Sequence, residues 1–421
     1  MMKYLIVTLA VFFTTLTVTG CEMNQVDEEE TEPFERRELP RMLSEQEAEL
    51  SEGAGDFGLD LMHRLVEEKP NQNHFISPLS IQMAYGMTMN GAGGATYNQI
   101  QKTLGLEGMS REEINEAARN LIELLSGFDE DVQFNIANSI WYRDTFTVEE
   151  DFLETNESYY DAIIEAADFG DPGTVDRINS WVGDKTGGLI DEIVQGPIDP
   201  LTVMYLINAM YFNGDWTVPF DSEHTTRQPF YRPDGSAVDV DMMRMEEQER
   251  MLYRQGENYE AVNLYYGDAG FAMTLVLPDE EVGLESWVQD LNREQWRELT
   301  GGFNRVTLMM DLPRFETAYE IEDFKEVLQD MGITAAFEPA KSDFSGINPE
   351  HDDLHISDTR HKTFIRVNEE GTEAAAATSV EIGLVSMPAS VQISFDRPFF
   401  YVIREVESET ILFMGTMTDP S

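Results

Sequence analysis

The sequence predicts one mixed α+β domain with large β-sheets. Helical periodicity governs the first part of the chain, whereas apolar runs of strand length govern the middle and the end. Neither an internal repeat nor a linker interrupts the chain after residue 44. The chain has 421 residues and is 42% hydrophobic, which is enough apolar material for a large core.

The first twenty residues have the layout of a secretory signal. Lys3 precedes a short apolar run, residues 5–13, that is too short to span a bilayer as a mature helix. The segment ends in Val18-Thr19-Gly20-Cys21, which resembles a bacterial lipobox, and Cys21 is the only cysteine of the chain. We therefore predict a lipoprotein signal peptide at residues 1–20 and a lipid on Cys21; the alternative is an ordinary signal peptide with an incidental cysteine. Either reading predicts an exported protein, lipid-anchored at the cell envelope or extracellular.

Residues 21–43 form a polar, acidic stretch without apolar periodicity, which predicts a disordered tether ahead of a domain at residues 44–421. The formal net charge is −52, from 28 Lys and Arg against 80 Asp and Glu. A surface this acidic repels nucleic acids and anionic membranes, so the lipid on Cys21 is the only membrane contact that we predict. The carboxylates are spread along the entire chain, which favours adaptation to high salt over a cationic partner.

Helices are predicted first along the domain. Helical periodicity begins near Ser44, which can form a capping box with Glu47, and a second helix follows Ser77-Pro78. Further helices are predicted at 111–127 and 175–182. Strands are predicted at 203–207, 238–245, 391–402 and 410–416, and as two runs within 261–277 that are broken at 267–270.

No motif of a catalytic centre is present, so we predict that the protein is not an enzyme and uses no cofactor. The segment 91–96 imitates a phosphate-binding loop, but it follows a helix and lacks the last glycine. His351 and His355 are four residues apart, yet the neighbouring Asp and Pro residues predict a loop rather than a metal-binding helix. We therefore predict no metal site.

The segment 367–384 is unusual for its small residues. When it is read as a strand, one face is small to apolar and the other carries every charge of the segment after Gly371. The first face consists of Thr372, Ala374, Ala376, Thr378, Val380, Ile382 and Leu384. Alanine and glycine are poor strand formers, and alanine is the best helix former. The local sequence therefore supports an Ala-rich helix and a strand that forms only conditionally about equally.

A resemblance to a known family carries the interpretation further. The segment from Glu369 to Thr378 resembles the hinge of the reactive-centre loop of inhibitory serpins. Other segments resemble that family in the same order along residues 45–420: 75–81, 178–182 with 186–190, 206–216, 311–315, 331–334, 361–363, 397–399 and 412–415. The resemblance implies a serpin fold with three β-sheets, eight or nine helices and an exposed reactive-centre loop.

The resemblance also implies a mechanism. A serine protease would cleave the loop as a substrate and form an acyl-enzyme, and the cut loop would then insert into a sheet as a new strand before deacylation. The implied hinge consists of Glu369, Gly371, Thr372, Glu373, Ala374, Ala375, Ala376, Ala377 and Thr378. Its small residues would allow rapid insertion, which favours a suicide inhibitor. The alternative is a non-inhibitory serpin that acts as a cell-surface binding protein.

The scissile bond follows from loop length. Counting from Gly371 places it at Val385–Ser386, whereas counting back from Pro398 gives Met387–Pro388. Proline after a cut makes a poor substrate, so we prefer Val385–Ser386 and keep Leu384 and Met387 in reserve. A small apolar Val385, with no Arg or Lys between Gly371 and Gln392, favours an elastase-like or subtilisin-like protease over a trypsin-like one.

Two further sites carry over from the resemblance. The shutter cluster, Ser77, Ser80, Asn208 and His361, would be a buried polar group that keeps the main sheet closed. Trp216 would be the tryptophan of the breach, the end of that sheet where insertion begins. Residues 99–111 lack a basic cluster, so no heparin-type cofactor is expected. The expected partner is a target serine protease, bound by a monomer.

Overall fold

The computed structural model describes residues 36–372 and 390–421. The predicted signal peptide, Cys21, the hinge residues from Glu373 to Thr378 and the residues named for the scissile bond lie outside the described residues. No helix within the two described ranges is long and apolar enough to cross a membrane.

The described ranges contain nine α-helices, which confirms the expected number. They are α1 (Glu45–Glu68), α2 (Pro78–Gly91), α3 (Gly94–Thr103), α4 (Arg111–Leu125), α5 (Glu150–Tyr160), α6 (Pro172–Lys185), α7 (Leu284–Asp290), α8 (Arg293–Thr300) and α9 (Phe324–Asp330). The capping box at the start of α1 is formed: the Ser44 hydroxyl accepts from the Glu47 amide at 3.2 Å, and the Glu47 carboxylate accepts from the Ser44 amide at 2.9 Å. Helix α2 begins with Pro78 directly after its N-cap, Ser77.

Fifteen strands within residues 36–372 and 390–421 complete the α+β fold, which confirms the predicted fold class. They are β1 (His74–Ile76), β2 (Val132–Arg143), β3 (Ile163–Ala167), β4 (Met204–Asp215), β5 (Thr226–Tyr231), β6 (Ala237–Gln255), β7 (Tyr259–Tyr266), β8 (Phe271–Pro278), β9 (Asn304–Pro313), β10 (Phe315–Glu320), β11 (Lys362–Val367), β12 (Gly371–Thr372), β13 (Ser390–Ser394), β14 (Phe399–Glu405) and β15 (Ile411–Met417). Two of them, β4 and β6, continue well beyond the strand lengths that the sequence predicts.

The described strands form two hydrogen-bonded sheets. One has nine strands in the order β1-β15-β14-β8-β7-β6-β9-β13, with β5 paired to β6; the other has six in the order β10-β11-β12-β4-β2-β3. The count is two rather than the expected three because β6 is 19 residues long and pairs with β5 in its first part and with β7 at its end. One continuous strand therefore joins what would otherwise be two separate sheets.

Helices α2 and α6 lie on opposite faces of the six-stranded sheet. Met210 and Phe212 on β4 belong to the main core, which also contains the apolar side chains of α2. Ile207 on the same strand packs with Ile178 and Val182 of α6 in a smaller core. Because successive side chains of a strand alternate between faces, β4 contributes to both layers. The sheet is thus buried on both sides where these helices cover it.

Residues 36–43, which the sequence assigns to the tether, pack against the domain. The Arg37 amide donates to the Asp268 carbonyl at 2.7 Å, and its guanidinium donates to the Asp268 carboxylate at 3.0 Å. Leu39 is buried, and its amide donates to the Glu407 carboxylate at 2.7 Å. Composition cannot predict these contacts, because the partner residues Asp268 and Glu407 are far away in the sequence.

Candidate functional site

The six-stranded sheet is interrupted between β4 and β11. In the part of the chain that the structure describes, no ladder joins these two strands directly, and the two-residue strand β12 pairs with both of them. On one side Gly371 pairs with Asp215 and Thr372 with Gly214; on the other side Thr372 pairs with Val367. The first two residues of the predicted hinge that follow Glu370 therefore already occupy one end of the sheet.

A tight turn brings the chain from β11 back into the sheet as β12. The side-chain oxygen of Asn368 accepts from the amides of Glu370 and Gly371, both at 3.0 Å, and the Asn368 amide donates to the Gly371 carbonyl at 2.9 Å. A Cβ atom on Gly371 would lie 2.2 Å from the Gly214 carbonyl oxygen. Only glycine therefore fits at this position while β12 is docked.

Trp216, the predicted breach residue, closes this end of the sheet. It is buried, its indole Nε1 donates to the Asn368 carbonyl at 2.9 Å, and its amide donates to the Glu370 carbonyl at 2.8 Å. Its ring stacks on Tyr266 with 4.4 Å between centroids. The Tyr266 hydroxyl in turn shares a hydrogen bond of 2.7 Å with the hydroxyl of Thr372. Trp216 and Tyr266 thus hold both the turn and the first strand pair of the hinge.

Glu369 anchors the same turn through charge. Its side chain is 7% exposed, and both carboxylate oxygens accept from Arg314 at 2.6 Å. The Thr225 hydroxyl donates to the same carboxylate at 2.6 Å. Burial alone would raise the pKa of Glu369, but the hydrogen bonds from Thr225 and Arg314 outweigh burial and hold the pKa below its usual value. We call Trp216, Thr225, Tyr266, Arg314 and Glu369 the hinge-anchoring cluster.

The shutter cluster lies farther along β4. The Ser77 amide donates to Nε2 of His361 at 3.0 Å, and the Ser77 hydroxyl donates to the Leu412 carbonyl at 2.7 Å. Because Nε2 accepts a hydrogen bond, the imidazole is neutral with its proton on Nδ1. Burial lowers the pKa of His361 to about 3, which keeps it neutral at physiological pH.

The other two shutter residues form a second pair. The Ser80 hydroxyl donates to the side-chain oxygen of Asn208. The Asn208 amide group donates to Asn138 on β2 at 2.8 Å, and Asn138 donates to the Tyr160 carbonyl at 2.7 Å. The two pairs meet at the start of α2, where the Ser80 amide donates to the Ser77 hydroxyl at 3.3 Å. Among the described residues, these side chains tie α2 to β4 on one side and to the segment before β11 on the other.

Several residues of the site were not assigned by sequence reasoning. Tyr266, Thr225 and Asn138 sit in strands or connections whose local pattern carries no functional signal. Arg314 lies within a segment that resembles the family, but its partner Glu369 is distant in sequence. The Asn368 turn carries a sequence signal, because Asn at the first position of a turn and Gly at the fourth are both favoured there.

His351 and His355, the two histidines with the spacing of possible metal ligands, have different surroundings. The ring of His351 lies against Phe146 with 5.3 Å between centroids, and Nδ1 of His355 is 3.0 Å from the Asp353 carbonyl. Within the described residues, three carboxylates that could in principle bind a metal ion lie close together: Asp129, Asp131 and Asp268. The buried one, Asp129, accepts from the amides of Asp131 and Asp268 at 3.0 Å each, which is an ordinary loop arrangement.

Comparison with known proteins agrees with the fold. The family model described as serpin (serine protease inhibitor) matches residues 52–420. Antithrombin-III of Mus musculus is 34% identical over 91% of this chain and 84% of its own length, and a leukocyte elastase inhibitor of Xenopus tropicalis is 32% identical over 88% and 99%. The native crystal structure of tengpin, a thermophilic serpin, superposes with a TM-score of 0.80 at 33% identity and covers 90% of this chain and 95% of tengpin.

The chain belongs to the serpin family. Serpins are protease inhibitors rather than catalysts, although some members do not inhibit, and inhibitors are among the relatives of this chain.

Proposed function

We propose that this protein is an irreversible inhibitor of serine proteases that traps the acyl-enzyme by inserting its cleaved loop between β4 and β11. The observation that carries the proposal is the docked strand β12, which pairs with both neighbours at one end of an otherwise unjoined pair of strands. A strand added to a sheet gains main-chain hydrogen bonds along its length, and serpin loop insertion is itself a standard example of this mode of binding. The free energy of those unmade pairs would drive the trap.

The register of β12 supports the proposal residue by residue. If the strand continued as it begins, Ala374 would come opposite Phe212 and Ala376 opposite Met210, both on β4. Thr372 is buried and bonded to Tyr266, so the alternation of a strand would turn Ala374 and Ala376 to the same inner face. Phe212 and Met210 are large, buried side chains, and small residues opposite them would enter with less risk of overpacking than large ones.

The same register brings a polar residue to the polar cluster. Thr378 would come opposite Asn208 on β4 and His361 beside β11, which are two residues of the shutter cluster. A threonine hydroxyl there could share in hydrogen bonds that a fully apolar strand would break. The order of small, small and polar residues in the hinge therefore matches the order of apolar and polar neighbours in the sheet.

The target class rests on the predicted Val385–Ser386 bond. A small apolar residue before the cut suits a protease with a small apolar specificity pocket, so we propose an elastase-like or subtilisin-like target. The likeness to a leukocyte elastase inhibitor supports that class.

The test is incubation of the purified protein with a subtilisin-type and an elastase-type protease, followed by a denaturing gel. We expect an SDS-stable covalent complex from the wild type. Thr372→Arg places a charge on the inner face and should give cleavage without complex, whereas Glu373→Arg, the adjacent change on the outer face, should still give complex.

Two results would contradict the proposal. Quantitative cleavage of the wild-type loop without any complex would favour the non-inhibitory alternative. Complex formation by Thr372→Arg would show that the inner face of the hinge does not have to enter the sheet. The cleaved wild type should also melt tens of degrees above the uncleaved protein, an order-of-magnitude expectation for a completed sheet.

A further inference from the structure

Tyr266 connects the two sheets at the point where the hinge is docked. It is the last residue of β7 in the nine-stranded sheet, and it is fully buried. Its hydroxyl lies 2.7 Å from the hydroxyl of Thr372, which belongs to the six-stranded sheet. Thr372 is itself 3% exposed, so this hydrogen bond is shielded from water.

The tyrosine ring is held on two sides. It stacks on Trp216 at 4.4 Å between centroids and an interplanar angle of 18°, and it meets Phe212 edge-on at 4.9 Å. Burial raises the pKa of the Tyr266 hydroxyl, which therefore stays protonated and available as a hydrogen-bonding group. A rigid ring that carries one hydroxyl is suited to define the position of a single partner atom.

We infer that Tyr266 is a positioning residue for loop insertion: it holds Thr372 in the uncleaved protein and so fixes the depth and register from which the new strand grows. This inference rests on the proposed function. Because side chains alternate along a strand, a slip of one residue would bring Glu373 to the place of Thr372 and turn a carboxylate into the core. The Tyr266–Thr372 hydrogen bond favours the observed register, in which a neutral hydroxyl rather than a carboxylate occupies this buried position.

The docked pair also removes the first step of insertion. Because Thr372 is already paired with β4 and β11, the cleaved loop has to form only the strand pairs that come after Thr372. Without the anchor, the hinge leaves the sheet for part of the time, and insertion has to wait for it to dock again. A slower insertion gives the protease more time to deacylate, so more inhibitor is consumed for each protease that is trapped.

The experiment compares Tyr266→Phe with the wild type, since phenylalanine keeps the ring stack and removes only the hydroxyl. Tyr85→Phe is the matched control, because Tyr85 is also buried and its hydroxyl is also hydrogen-bonded to a threonine, Thr359, at 3.1 Å. In the uncleaved protein we expect hydrogen exchange at residues 371 and 372 to be about five-fold faster in Tyr266→Phe, the shift typical of one lost hydrogen bond. Tyr85→Phe should leave it unchanged.

The second readout is the number of inhibitor molecules consumed per protease trapped, which should rise about two-fold or more in Tyr266→Phe and stay constant in Tyr85→Phe. Thr372→Val removes the other hydroxyl of the pair, and the double variant should be no worse than either single variant. Unchanged exchange in Tyr266→Phe would overturn the inference, and so would faster exchange with an unchanged consumption ratio. If the wild type traps no protease at all, the proposed function fails, while the exchange measurement still decides whether Tyr266 holds the hinge.

Discussion

The hinge-anchoring cluster and the shutter cluster both contact β4, but they differ in charge and in access to water. The first depends on an ion pair whose arginine, Arg314, is 45% exposed while its carboxylate partner, Glu369, is 7% exposed. The second consists of neutral hydrogen bonds around a buried imidazole. The cluster at the end of the sheet thus contains a charge pair near the surface, and the cluster in the interior consists of neutral groups.

This difference follows from the cost of burying charge. Under the proposed mechanism, a charged group deep between α2 and the sheet would have to stay paired throughout insertion, because an uncompensated buried charge is strongly destabilising. Neutral hydroxyl and amide groups can exchange partners at a cost of about 1 kcal/mol per hydrogen bond. Under the proposed mechanism, an entering strand could therefore rearrange the interior cluster while the ion pair at the end of the sheet stays in place.

The largest effect is expected from breaking the ion pair. Arg314→Ala leaves Glu369 buried and without its cation, and we expect a loss of about 3 kcal/mol in the free energy of unfolding, the lower end for such a pair because Thr225 still donates. Arg177→Ala is the control: Arg177 is similarly exposed, but its partner Glu165 is 38% exposed. We expect less than about 1 kcal/mol there. Urea unfolding measures both, and equal losses would show that burial of the carboxylate does not distinguish the two pairs.

A smaller effect is expected in the shutter cluster. Ser77→Ala removes the hydrogen bond to the Leu412 carbonyl and the cap of the Ser80 amide in a buried site, and we expect a loss of about 2 kcal/mol. Ser44→Ala removes a helix cap that is exposed to water and should cost about 1 kcal/mol. Urea unfolding measures both losses. If the two variants lost the same free energy of unfolding, Ser77 would contribute only as a helix cap, and its hydrogen bond to the Leu412 carbonyl would add nothing.

The smallest effect is the pH dependence of the free energy of unfolding, which distinguishes the shutter cluster from the hinge-anchoring cluster. His361 is neutral in the folded protein, its pKa having fallen from 6.5 to about 3, so its contribution to stability is complete above pH 6.5 and is lost as the pH falls toward 3. Between pH 7 and 5.5 the loss should be about 1 kcal/mol. The pKa of Glu369 is lowered from 4.5, so its contribution is present throughout that interval and is lost only below it.

The measurement is urea unfolding at pH 7 and 5.5 of the wild type, His361→Gln and Arg177→Ala. His361→Gln should flatten the pH dependence, and Arg177→Ala, which breaks an exposed ion pair, should leave it as steep as in the wild type. His74, another buried histidine whose pKa burial lowers to about 4, accounts for a slope that remains in His361→Gln. An unaltered slope in His361→Gln would refute the assignment of this pH dependence to the shutter.

Much of the fold was predictable because periodicity and capping are local. The predicted helix at 111–127 is α4 and the one at 175–182 lies within α6, while the runs within 261–277 are β7 and β8. The number of sheets was not predictable, since it depends on how far β6 continues, and its bulges near Gln248 are set by pairing with β9. Composition predicts a tether at residues 36–43 because it carries no information on contacts such as Arg37 to Asp268.

The sequence by itself determined which residues of the hinge share a face, because alternation along a strand is a property of order alone. It could not determine whether that segment is helix or strand, since alanine-rich sequences are close to balanced between the two. Tertiary structure decided this for Gly371 and Thr372, which are strand because β4 and β11 leave their edges open to them. It also decided that Tyr266, Arg314 and Thr225 meet the hinge, because these contacts depend on two sheets being brought together.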